Sequence, residues 1–364
     1  MTLSWLSVDA KTGGVLADLP DLDCPKVSRS ICRYDSTTAT LPIPTAPDGW
    51  EIATRPGGAV MILLSDDLPI WGGMVTQRTR GSGDTVALAL ATMEAYFDRR
   101  FVGDETYAAV GQNAIGADIA AKYLATGARG GIPIRVVQLG GAGTLRDRTY
   151  EDALDKSVYS IYTELAGIGA LGNVAAGPEF SVSWEWQHSP ERLTPVLTFG
   201  ARLGAPVQAG MAVTATFDLP GCVTEASFIE DYSGSGRSAN VVSASTTGDG
   251  TTRLVSPEQV AADDGRPTFQ WRFTPTTSIQ EVDTLTAHAA RVLAAVKDGS
   301  TAIALSAVVS DAPKLGVEWD LGDDVGYSLT CPAFPDGLSG IARAYGWELT
   351  LGNTPTVTPI LVSD

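Results

Sequence analysis

The amino-acid sequence predicts a β-rich α+β protein of 364 residues. Three observations carry that expectation. Short runs of apolar residues recur at roughly ten-residue spacing, separated by turns rich in Gly, Pro and Asp. A few segments instead repeat their apolar residues at helical spacing. Gly (39) and Pro (21) are abundant, which favours many short strands joined by turns. The length fits two to four domains.

Residues 1–104 read as a first β domain. "LSWLSVD", "VSRSICRYD", "GAVMILLSD", "LPIWGGMVTQRTR" and "DTVALALATMEAYFDRRFV" are strand-like, and "TGG", "PDG", "RPGG", "DDLP" and "GSGD" punctuate them. Val86, Leu88 and Leu90 alternate with small residues, the period of a half-buried strand. Residues 105–177 read as an α/β accessory domain. Ile115, Ile119 and Tyr123 share one helical face, with Gly127 placed to cap it. "IPIRVVQLG" (132–140) reads as a strand. A second helix is expected from Thr149 to Gly167, with Thr149 and Asp152 as capping box and Leu154, Val158, Ile161 and Leu165 as apolar stripe.

Residues 178–364 read as a second β region with accessory strands. In "EFSVSWEWQHS", Phe180, Val182, Trp184, Trp186 and His188 share one face, with Ser181, Ser183, Glu185 and Gln187 on the other. "LTPVLTFGA", "VTEASFIEDY", "ANVVSASTTGDGTTRL" and "TFQWRFT" follow, with "GDG" (248–250) as a hairpin turn. A helix is expected over 279–297, with Ser278 and Glu281 as capping box and Val282, Leu285, Ala289, Val292 and Val296 inward. "TAIALSAVVS", "VEWDLGDDVGYSLTC" and "IARAYGWELTLG" add three strands.

Charge narrows the function classes. Forty-two acidic and 25 basic side chains give a net charge of −17, which repels phosphate at long range. No Lys/Arg run supplies the basic face of a sequence-reading nucleic-acid binder; the densest basic points are Arg99-Arg100 and Arg146/Arg148. Four cysteines without C-x-x-C spacing and two histidines, His188 and His288, argue against a zinc site and a disulfide scaffold. The N-terminus lacks a basic region followed by an apolar one, so no secretory leader is expected. The longest clean apolar run, "AVMILL" (59–64), is far below the ~20 residues of a spanning helix. A soluble chain with reduced thiols, assembled in a cytoplasm, is expected.

The candidate chemical sites are weak. Asp320, Asp323 and Asp324 lack the alternate-position ligands and closing glutamate of a calcium loop. With Gly322 among them they read as a solvated turn entering a strand. Glu185 and Glu191 are the best pair for a glycosidase, but alternation turns Glu185 away from Trp184 and Trp186. Neither histidine has a nucleophile in a recognisable elbow. In "LGGAGTLRDRT" (139–149), Gly141 and Gly143 precede Arg146 rather than completing a phosphate-binding fingerprint, so a flexible connection is expected. Asp98, Arg99 and Arg100, set among aromatics, read either as local ion pairs at a strand end or as an intersubunit contact. No cofactor is expected.

Several stretches in series resemble the minor tail proteins of baseplate-hub type in long-tailed siphophages, especially those of actinobacteria. These are "LPIWGGMVTQR" (68–78), "MEAYFDRRFV" (93–102), "ANVVSASTTGDGTTRL" (239–254), "DTLTAHAARVLAAVKDG" (283–299), "DLGDDVGYSLT" and "GIARAYGWELTLG" (340–352). The series touches most of the chain, least distinctly in 105–177. The resemblance implies two tail-tube-like β-barrel domains, the α/β accessory domain, and the 279–297 helix packed on the second barrel. It implies a non-enzymatic homotrimer at the virion tail tip, continuing the tail tube. Its partners would be the distal tail protein ring, the tape measure protein and receptor-binding or central tip proteins, with DNA as passing cargo. Asp98, Arg99, Arg100, Asp320, Gly322 and Asp323 would be structural or intersubunit residues. Three copies would carry about −51, suited to a channel that must not hold DNA.

Overall fold

The computed structural model describes residues 2–127, 130–167, 177–208, 210–233, 238–246, 253–275, 279 and 281–362. They fall into two units: a larger one drawn from the stretches 2–167, 177–226 and 304–362, and a smaller one from 227–303.

The first stretch contains β1 (Leu3–Asp9), β2 (Val15–Asp18), β3 (Lys26–Ser30), β4 (Ser36–Pro42), the one-turn helix α1 (Trp50–Ala53), β5 (Ala59–Ser65), β6 (Leu68–Arg80), β7 (Thr85–Thr92) and a second one-turn helix, α2 (Glu94–Phe97). Six strands make an antiparallel, curled half-barrel sheet in the order β2-β1-β5-β6-β7-β4. β5 is buried at every position, which is why it reads as a continuous apolar run rather than an alternating one. The glycine pair in β6 makes room for indoles. A Cβ on Gly72 would lie 2.2 Å from Trp184 Nε1, and one on Gly73 2.3 Å from the Trp71 ring. Two expectations change here. β3 leaves this sheet and pairs with a strand more than 300 residues later. The segment 94–97 is helical, so Asp98, Arg99 and Arg100 follow a helical turn rather than end a strand.

Next come β8 (Glu105–Gly111), α3 (Gln112–Tyr123), β9 (Arg135–Leu139), β10 (Leu145–Tyr150), α4 (Val158–Gly167), β11 (Glu179–His188) and β12 (Glu191–Gly200). β8 and β10 form an antiparallel ribbon; β12 pairs antiparallel with β11 and parallel with β9. Ile115 and Ile119 face the core as expected. The helix expected from Thr149 starts only at Val158. Thr149 and Tyr150 are already engaged, paired with Thr106 and Glu105 in the ribbon, so the capping box does not form. Val158, Ile161 and Leu165 are buried, whereas Leu154 sits exposed on a 3-10 turn. Tyr162 anchors this core. Its ring meets Phe97, Phe180 and Phe199 at 4.9–5.9 Å, and its hydroxyl donates to Gly116 O at 3.0 Å.

A second large sheet begins with β13 (Thr216–Leu219) and β14 (Val223–Asp231). The smaller unit follows, with β15 (Val241–Ala244), β16 (Gln259–Val260), β17 (Gln270–Phe273) and α5 (Val282–Val296). α5 lays Leu285, Ala289, Val292 and Val296 against this three-stranded sheet, where the resemblance implied packing on a second barrel. Val282, expected inward, is exposed at 39%, because Glu281 is the N-cap and the helix starts at Val282 rather than at 279. Ser278 lies outside the described residues. So does the 248–250 turn, although its flanks pair antiparallel at Ser245 and Val255.

The chain returns with β18 (Ser300–Val308), β19 (Asp324–Cys331), β20 (Phe334–Thr350) and a strand the sequence did not announce, β21 (Thr356–Val362). The second sheet runs β13-β19-β20-β21-β18-β14, and β3 adds to β20. No helix among the described residues is long and apolar enough to cross a membrane, which leaves β-barrels unaddressed.

Candidate functional site

The acidic turn 320–324 is the best-built polar site of the larger unit. Its closure matches the sequence reading: Asp323 N donates to Asp320 O at 3.1 Å, and Gly322 has φ +93°. Asp320 keeps a half-exposed carboxylate, as a solvated turn residue would, whereas those of Asp323 and Asp324 are engaged. Asp323 Oδ1 accepts from Ala205 N at 2.6 Å, and its Oδ2 accepts from Asp320 N at 2.7 Å. Asp324 accepts from Val207 N at 2.8 Å and pairs with Arg202. The turn therefore holds the segment 202–207 by its backbone amides. Gly322 is required for the approach, since a Cβ there would stand 2.3 Å from Leu203 O.

Behind the turn lies a buried cation that sequence reasoning left as a family motif. Arg343, in the middle of β20, is buried and forks onto Glu179 of β11, with Nη1 to Oε1 at 2.6 Å. Its Nη2 also donates to Leu203 O at 2.9 Å and its Nε to Gly322 O at 3.2 Å. Glu179 Oε2 accepts from Leu203 N at 2.7 Å. A second buried arginine, Arg29 of β3, donates to Val182 O at 2.9 Å and approaches Asp320 at 3.6 Å. From the other side, Glu94 of α2 accepts Val182 N at 2.8 Å. Glu94 is almost wholly buried, its Oε2 meets no partner, and burial raises its pKa above the ordinary carboxylate range. One signal was available: a lone charge inside an apolar run ("IARAYGW", "ATMEAYF") needs a buried partner.

Asp98, Arg99 and Arg100 diverge in role. Asp98 accepts from Ser157 Oγ at 2.7 Å, and Arg100 donates to Tyr123 O at 2.7 Å and lies over the Tyr96 ring. These two tie α2 to the accessory elements. Arg99 is exposed beside a groove of about 410 Å³ lined with Tyr34, Met74 and Tyr96.

Enzymatic candidates fare poorly on geometry. Glu185 does face outward, paired with Arg135. Glu191 lies opposite His188, three register steps away, about 10 Å along the hairpin. His188 is exposed and His288 half-buried on α5. The loop 139–144 is no anion cradle and no free connection. Its Ala142 and Thr144 carbonyls accept from Asn113 N and Gln112 N at 2.9 Å, occupying the N-terminal amides of α3. Burial pushes the Cys32 thiol up to about 12. Among the described residues, no cluster of His, Cys, Asp or Glu is placed to hold a metal.

The fold of this chain, two large sheets with accessory elements, is similar to that of solved tail proteins. A tail protein from Neisseria meningitidis MC58 is similar over 100% of this chain and 97% of its own, at 11% identity and TM-score 0.59. The 43 kDa tail protein of prophage MuSo2 from Shewanella oneidensis is similar over 99% and 98%, at 9% identity and TM-score 0.61. A chain of the Francisella PdpA-VgrG complex is similar over 100% of this chain and 58% of its own, at 7% identity and TM-score 0.57. No family model and no curated protein matches the sequence.

Proposed function

We propose that this chain is a structural, non-enzymatic hub protein of a bacteriophage tail tip. It closes the tail tube, anchors host-recognition proteins and forms part of the channel through which DNA leaves. The observation that carries this reading is the likeness in fold, over nearly the whole of both chains, to two solved tail proteins. The curled half-barrel sheet suits a ring segment, and the charge of −17 suits a lumen that does not hold phosphate. In this reading three copies assemble, with the distal tail protein ring and tape measure protein on one side and receptor-binding or central tip proteins on the other. Arg99 and its aromatic groove make an intersubunit contact, with residue types favoured at interfaces. Asp320, Gly322 and Asp323 brace the second sheet. Opening changes subunit packing rather than covalent bonds.

The test is the mass of the purified chain in solution, followed by electron microscopy of the particle with the chain labelled. A trimer, with label at the tail tip, is expected. A monomer absent from particles would sink the proposal.

A further inference from the structure

A cleft of about 580 Å³ opens in the larger unit, between β1 and β5 on one side and the turn from β20 to β21 on the other. Ligand sites commonly measure about 300–1,000 Å³. The floor is apolar: Trp5, Leu22, Leu63 and Val309 line it, each more than nine-tenths buried. No Lys, Arg or His lines it.

Both walls are tied down. Leu19 N donates to Trp5 O at 2.9 Å, and Asp23 exchanges backbone hydrogen bonds with Thr40 at 2.7 and 2.9 Å, which fixes the loop after β2. Opposite, Val309 N donates to Pro355 O at 3.0 Å and Leu351 N to Pro25 O at 2.8 Å. The cleft is therefore formed before any ligand arrives, which spares the cost of ordering it. One polar group in it is left over. Trp5 is only 7% exposed, yet its indole N–H has no acceptor among the described residues. The indoles of Trp71 and Trp319 donate to Ser28 O at 2.9 Å and Pro313 O at 3.0 Å. Trp347 also lacks an acceptor, but its Nε1 is sealed from solvent, which that of Trp5 is not. A buried indole N–H ordinarily has a partner, and the cleft is where one can reach Trp5.

The mouth is acidic. In "DLPDLD" (18–23), where Pro20, Leu22 and Asp23 line the cleft, Asp18, Asp21 and Asp23 are all exposed. No hydrogen bond or ion pair reaches their carboxylates among the described residues. No base stands between Lys11 and Lys26, and Lys26 is paired with Glu348 at 2.7 Å. Exposed Asp311 follows Ser310 of the opposite wall. Unpaired acids on a chain of net charge −17 repel anions, so the complementary occupant is cationic. An apolar floor, one inward N–H donor and an acidic lip together match a peptide. We propose that this cleft docks a partner-protein segment in which apolar side chains stand next to Lys or Arg. The apolar side chains fill the floor, a main-chain carbonyl accepts from Trp5 Nε1, and the cations meet the aspartates of the lip. This goes beyond the hub assignment and stands without it.

Panning a random heptapeptide display library on the immobilised full chain tests it, followed by calorimetry with the enriched peptide. Enriched sequences are expected to combine apolar residues with Lys or Arg. Asp21→Asn/Asp23→Asn, a change at two exposed side chains, should weaken the peptide roughly fivefold at low salt and flatten its salt dependence. Thr354→Trp, which puts an indole into the mouth from an exposed turn, should abolish binding. Spermine, a cation without apolar side chains, should not displace the peptide at equal concentration. No enrichment, or enrichment of sequences without a base, overturns the proposal. So does a peptide that binds both variants as tightly as the wild type, or one that spermine displaces, which would reduce the site to a bare acidic lip. If Thr354→Trp instead lowers the mass of the chain in solution, the cleft holds a second copy and the partner assignment falls.

Discussion

Replacing Arg343 by Met tests whether the buried clasp holds the larger unit together. The side chain is buried and makes hydrogen bonds to Glu179, Leu203 O and Gly322 O. Methionine fills much of the volume but supplies none of these donors. Glu179 would be left as a mostly buried carboxylate without its cation, and two carbonyls would lose a charged donor. Breaking a buried pair from one side costs about 3–5 kcal/mol. At about 2.1 cal/mol/K of unfolding entropy per residue, a unit of roughly 280 residues loses about 5–8 °C in Tm. Urea melts and calorimetry measure both. Arg343→Lys should recover only part, since an ammonium cannot fork onto both carboxylate oxygens. The companion Glu179→Leu/Arg343→Met should cost clearly less than the sum of its singles, because no charge is stranded. A loss below about 1 kcal/mol for Arg343→Met, or strict additivity in the cycle, would refute the reasoning.

Three further outcomes follow from the same geometry. Glu94 has a folded-state pKa raised by burial, so its contribution favours the folded chain at low pH and is lost as pH rises through that value. Glu94→Gln should remove this component, and denaturant melts at several pH values should show a flatter stability profile than the wild type. Gly322→Ala should cost more than Gly140→Ala. Both residues have positive φ, but the added methyl at 322 collides with Leu203 O while that at 140 meets nothing within 4 Å. The shared left-handed strain is about 1–2 kcal/mol, so equal melting losses would contradict the close approach. Cys32, its thiol pushed up to about 12, should resist iodoacetamide at neutral pH until the chain is unfolded; mass spectrometry of the labelled peptides reads this, and rapid native labelling would disprove the burial.

Much of the strand content was legible because one face of many strands is wet. β7 shows this with Val86, Leu88 and Leu90 inward. Helical ends were less legible. Thr149 and Asp152 have capping-box chemistry, yet Thr149 is held by ribbon pairing with Thr106, a partner that local pattern cannot name. For the acidic turn, the Asp-Gly chemistry gave the conformation, while the amides of Ala205 and Val207 that occupy the carboxylates come from more than a hundred residues away. Arg343 and Glu94 are charges within apolar runs, a signal that the sequence analysis did not use. What each charge meets depended on how β11 lies across both sheets, and no spacing in the sequence encodes that.

The pairing of β3 with β20 has a consequence for synthesis. Lys26 meets Glu348 across a sequence separation of 322, and Ser30 through Lys26 align with Gly346 through Thr350. The second sheet therefore stays short of one strand until residue 350 has left the ribosome, and β3 must wait unpaired until then. Folding of the larger unit is consequently a late event on the translating chain, slowed by the closure of a very long loop. A fragment ending after the first β domain would carry an orphaned strand edge, open to pairing with other copies and to aggregation.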